Sequence, residues 1–156
     1  MKEIEKTSSM SAFGFHSEYI YPDLIARESW FRSLLKVVKN YDLVFLDPDN
    51  RIEVPSVKKG TKKSNKYVYL CELERIWENN KSFLFFQHFS RVNRDKFIAD
   101  LTSKVKVVSY NSVIPSFKAT NIVLFLALQP PHQKYKEKII RIIKEKWQDE
   151  FAIRDD

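Results

Sequence analysis

The feature that most constrains this chain is the apolar run Leu43, Val44, Phe45, Leu46, closed abruptly by Asp47, Pro48, Asp49 and Asn50. A short unbroken apolar run of this kind suits a strand buried on both faces of a parallel sheet, and Pro48 opposes its continuation. A second such run, Phe83 to Phe86, ends in Gln87 and His88. Between them, Leu70, Leu73, Ile76 and Trp77 recur at helical spacing and predict a helix near 69–79. Strand, helix, strand implies a crossover, and hence parallel pairing of the two strands.

The same reading extends along the chain. Residues 1–20 lack a clean period and read as an N-terminal arm, leaving 21–156 as a single α/β domain. Leu24, Ile25, Phe31, Leu34, Leu35 and Val38 after Pro22 predict a helix over 23–39. Phe97, Ile98 and Leu101 predict another over 94–103, leading to a strand at Val105–Tyr110. A further strand, Ile122–Leu128, follows a loop containing Pro115 that is too short for a helical crossover, so it should run antiparallel. A last helix follows Pro130 and Pro131, with Tyr135, Ile139, Ile142, Ile143 and Trp147 directed inward. The expected architecture is α/β in three layers, around a sheet of about four strands that is mostly parallel with one antiparallel strand.

Composition narrows the function classes. Cys71 is the single cysteine, so neither an intramolecular disulfide nor a cysteine-rich zinc site can form, and a reducing cytoplasm is the simplest compartment. The N-terminus lacks the apolar stretch of a secretory signal. The longest apolar run, Ile122 to Leu128, falls well short of the roughly 20 residues of a bilayer-spanning helix, so no membrane partner is expected. Lys and Arg number 27 against 20 Asp and Glu, and this excess of +7 favours polyanions such as nucleic acid.

Candidate site residues follow from the predicted topology. In open α/β sheets, ligands bind beyond the carboxyl ends of the strands. Asp47, Asp49 and Asn50 end the first strand and Gln87 and His88 end the second, so neighbouring strands would bring these groups to one crevice, with Asp47, Asp49, Asn50 and His88 as the catalytic candidates. Asp, Pro and Asn equally suit a plain hydrogen-bonded turn. Directly after the turn, Lys58, Lys59, Lys62, Lys63 and Lys66 put five lysines into nine residues, a pattern suited to phosphate contact or to a solvated loop. Tyr67 and Tyr69 beside them could stack on a base or pack in the core. No two histidines have metal-ligand spacing, so no zinc site is expected.

The run YDLVFLDPDNRIE, then GTKKSNKYVYLCELERIW, then SFLFFQHFSR, over about residues 40–95, resembles the C-terminal half of a bacterial DPDN-motif family of unknown activity. That family has glycine after the motif, where this chain has Arg51. The family in turn resembles Rossmann-like S-adenosylmethionine-dependent methyltransferases that act on adenine in RNA or DNA. Asp47 and Pro48 match their DPPY-type motif, whereas Asp49 and Asn50 depart from it and the stacking aromatic is absent. The resemblance implies a methyltransferase-like C-terminal half that binds or modifies nucleic acid, with Asp47 and Asn50 at the target pocket. Gly14 and Gly60 are the only glycines, and neither follows a convincing strand that would carry a cofactor loop. The same resemblance implies a truncated or degenerate relative, or a homodimer that covers an exposed sheet edge.

Two other readings stay open. Asp47, Asp49 and Glu53 could hold magnesium for nuclease or phosphoryl-transfer chemistry, and the Asp47, Pro48, Asp49 string resembles the DPD signature of the Toprim fold. Alternatively the chain is a non-catalytic interaction protein with a basic face.

Overall fold

A computed structural model describes residues 22–89 and 93–155. The expected N-terminal arm, 1–20, lies outside the described residues. Helix α1 (Leu24–Val37) begins where the Asp23 carboxylate accepts the Ala26 N–H at 2.8 Å, and it ends in a 3-10 turn at Val38–Asn40. Strand β1 (Leu43–Leu46) follows. Its Val44 and Leu46 are buried, but Leu43 and Phe45 are 47% and 57% exposed, so the run expected to be covered on both faces is covered on one. β1 is an edge strand, and no described helix packs on its second face.

Strands β2 (Arg51–Ile52) and β3 (Tyr67–Val68) form a separate two-stranded parallel ladder that pins both ends of the lysine-rich loop. Helix α2 (Leu70–Glu78) buries Leu73, Ile76 and Trp77, the stripe expected from their spacing. Strand β4 (Ser82–His88) then lies parallel to β1, with Leu43 opposite Ser82 and Leu46 opposite Phe85.

Helix α3 (Arg94–Val108) overruns the strand expected at Val105–Tyr110. Ile98, Leu101, Val105 and Val108 fall on one helical stripe and are all buried, and that stripe outweighs the local β preference of the valines. The segment containing Pro115, expected as a loop, is strand β5 (Pro115–Lys118); proline stands at its first residue, where a missing donor is tolerated. Strand β6 (Ile122–Ala127) runs antiparallel to both β4 and β5.

After a 3-10 turn at Pro130–Tyr135 comes helix α4 (Lys136–Lys146), and strand β7 (Ala152–Asp155) closes the sheet antiparallel to β5. The strand order is β1-β4-β6-β5-β7. The fold is α/β, but β6 and β7 both run against β1, β4 and β5, where one reversed strand was expected.

The strands separate two apolar layers. On one face Val44, Phe83, Phe85, Val123 and Phe125 pack with Phe31, Ile76 and Ile98 from α1, α2 and α3. On the other, Ile139 and Ile143 of α4 cover Phe117, Leu126 and Leu128. Tyr135, Ile142 and Trp147, expected to point inward with them, are 49%, 37% and 48% exposed, because α4 meets only part of the sheet with a narrow stripe.

Candidate functional site

A buried ion pair sets the position of the lysine-rich loop. Arg27 of α1 donates from Nε and Nη2 to the two carboxylate oxygens of Glu72 at 2.6 and 2.8 Å. The same guanidinium donates to the carbonyls of Ser64 and Tyr67 at 2.8 and 2.7 Å, so it holds the far end of the loop. Glu72 also accepts the Tyr69 N–H at 3.1 Å and lies 3.2 Å from the Lys59 ammonium. The Tyr69 ring is sandwiched into this network, 4.8 Å from Arg27 and hydrogen-bonded through its hydroxyl to the Val57 carbonyl. Burial pushes the Tyr69 phenol above its ordinary value, with Arg27 opposing. A solvated loop would need none of these bonds. Arg27 escaped the sequence reading because a single cation in an amphipathic helix looks like part of its polar face.

The anchored loop forms one wall of a cleft of about 1010 Å³. The cleft lies at the carboxyl end of β4, where Gln87 lines it, and is bounded by α3. Arg51, Lys58 and Lys59 enter it from the loop side, and Lys96 and Lys104 from α3. Lys96, Asp100 and Lys104 are spaced four residues apart and share one helical stripe. Five cationic side chains thus face two carboxylates, Glu53 and Asp100, within one concavity. Glu53 is tied by Oε2 to the Leu70 N–H at 3.2 Å, and Gln87 accepts the Ile52 N–H at 3.0 Å while donating to the His88 carbonyl at 3.2 Å. The α3 lysines do not stand out in the sequence; only the packing of α3 beside α2 turns them toward the loop.

The structure divides the residues singled out from the sequence. β1 and β4 are neighbours, so Asp47, Asp49, Asn50 and His88 do sit at adjacent strand ends. None of the four lines the cleft. Asp47 and Asp49 are exposed, and Asp49 pairs with Lys66 at 3.6 Å. His88 is also exposed, with its ring edge-on to Phe86 at 5.3 Å. Successive strand side chains alternate between faces, which sends Gln87 to the cleft and His88 to the opposite side. Of the loop lysines, Lys58 and Lys59 reach the cleft, whereas Lys62, Lys63 and Lys66 are exposed outside it. Tyr69 is buried, resolving its two readings toward packing, and Tyr67 is half-buried.

Among the described residues no three His, Cys, Asp or Glu side chains gather to hold a metal ion. Asp47, Asp49 and Glu53 in particular do not converge, because Glu53 turns into the cleft and Asp49 toward Lys66. Gly60 adopts φ +84°, and a Cβ there would clash with Leu24 Cγ, so its open side is filled by a leucine and does not cradle a cofactor. Gly14 lies outside the described residues. Gly60 therefore is not the glycine of a cofactor loop. No described helix is long and apolar enough to cross a membrane. Compared with protein-family models, curated proteins and solved structures, the chain has no match.

Proposed function

We propose that the protein is a Rossmann-like, methyltransferase-like protein of the cytoplasm that binds nucleic acid through the cleft beyond β4. The observation that carries this reading is the surplus of cations in a concavity at a strand's carboxyl end: beside Lys59, which Glu72 engages, Arg51, Lys58, Lys96 and Lys104 face two carboxylates. The parallel β1–β4 pair followed by the reversed strand β6 supports the methyltransferase-like part, as does the Asp47–Pro48 strand end. Isothermal titration with S-adenosylmethionine tests that part separately: heat at millimolar cofactor restores the enzyme reading, and its absence leaves a binding protein.

Fluorescence anisotropy with labelled oligonucleotides over a range of salt tests the binding. Affinity should fall with salt at a slope of about −0.7 to −0.9 per phosphate contacted. The triple variant Lys58→Glu, Lys96→Glu, Lys104→Glu should lose most of the binding and flatten the slope. His88→Ala and Asp49→Ala should bind as the wild type does. No salt-dependent binding by the wild type at low ionic strength sinks the reading.

A second copy is the partner that the exposed β1 edge suggests, with Leu43 and Phe45 as its apolar contact.

A further inference from the structure

The cleft has a floor and a rim of different chemistry. Lys58, Lys96 and Lys104 are exposed at its rim, while Ile52, Tyr69 and Leu101 are buried at its floor and Phe97 is half-buried between them. The Phe97 ring is braced edge-on by Phe89 at 5.8 Å. A double helix carries its phosphates outside and its bases paired inside, so it could meet such a rim but has nothing to place on an apolar aromatic floor. An unpaired nucleotide offers both, a flat base with an apolar face and a phosphate a few bonds away. At about 1010 Å³ the cleft stands at the upper end of small-ligand sites, large enough for a nucleotide and part of its neighbour.

Resting on the nucleic-acid reading above, we infer that the cleft selects single strands: one unpaired base enters and lies against Phe97, and the flanking phosphates engage Lys58, Lys96 and Lys104. Lys59 is already engaged by Glu72 and serves to hold the loop rather than the strand. The duplex is then confined to the rim, with phosphate contacts alone and no stacking.

The test compares a labelled single-stranded oligonucleotide with a hairpin duplex of matched length and composition by anisotropy at one fixed low salt. The single strand should bind at least about tenfold more tightly, the scale of one stacked base. Phe97→Leu keeps an apolar side chain against the core and should remove that preference by weakening the single strand alone, whereas Phe97→Trp should retain it. Lys104→Glu should weaken both forms. Equal affinity for single strand and duplex, or an unchanged preference in a folded Phe97→Leu protein, overturns the inference and leaves the nucleic-acid reading in place. Absence of binding to either form overturns both.

Discussion

Arg27 and Glu72, 45 residues apart in the chain, form a two-bond ion pair with side-chain exposures of 1% and 2%. The pair ties α1 to the start of α2 and, through the Ser64 and Tyr67 carbonyls, to the loop that walls the cleft. Removing Arg27 leaves buried Glu72 with only the partly exposed Lys59 as counter-charge and leaves the Ser64 and Tyr67 carbonyls without their donor, so Arg27→Ala should lower stability by about 3–5 kcal/mol. Urea denaturation measures this, and limited proteolysis should find new cleavage within 56–66. A loss below about 1 kcal/mol, typical of a surface pair, would show that the clamp does not hold the loop.

Gly60 and Leu24 supply a second test of the same anchorage. The positive φ alone should cost a side chain about 1–2 kcal/mol, and in Gly60→Ala the Cβ also meets Leu24. In a Leu24→Ala background the clash is removed and only the backbone cost remains. The difference, read by thermal or urea unfolding of the four proteins, should be positive; an additive pair of effects would mean that Leu24 simply moves aside.

Glu28 accepts a 2.7 Å bond from Arg75, and this bond, the largest cause, holds the Glu28 carboxyl below its ordinary value, with burial opposing. A carboxylate whose folded value is depressed adds stability above its unfolded value and loses it as pH falls through the folded one. Wild type should therefore exceed Glu28→Gln in stability at neutral pH, and the gap should close below the ordinary carboxylate range. The side chain is 36% exposed, so the gap should be small and should shrink in salt. Unfolding curves of the two proteins at neutral and acid pH check the sign, and a gap that widens on acidification contradicts it.

Phe45, 57% exposed on the edge strand, is the side chain by which to judge a second copy. Sedimentation of the wild type should reveal a concentration-dependent dimer that Phe45→Lys disrupts while leaving the monomer folded. A wild type that stays monomeric at high concentration excludes pairing through β1.

The elements that local physics specifies were legible in the sequence. The short apolar runs Leu43–Leu46 and after Lys81, each closed by polar residues, are strands as expected, and the α2 stripe, Phe31 and Leu34 of α1 and Ile139 and Ile143 of α4 follow the helical period. Where local preferences conflict, tertiary contacts decided. Val105 to Val108 favour a strand by residue type, but Val105 and Val108 complete a buried stripe begun at Ile98, so the helix continues. Pro115 argues for a loop, yet Ser116 to Lys118 find partners on both sides, in β6 and in β7 near the far end of the chain.

The candidate site divides in the same way. The polar strand ends and the lysine cluster could be read directly, because they are contiguous. A crevice with Gln87 and the lysine loop follows from the strand ends, but Lys96 and Lys104 join it only after α3 packs beside α2, and one step of strand alternation takes His88 out of it. The chain by itself determined an α/β domain with excess positive charge after a strand end. Only the tertiary structure decided which of those charges face one another, because burying Arg27 with Glu72 couples residues whose pairing no local pattern encodes.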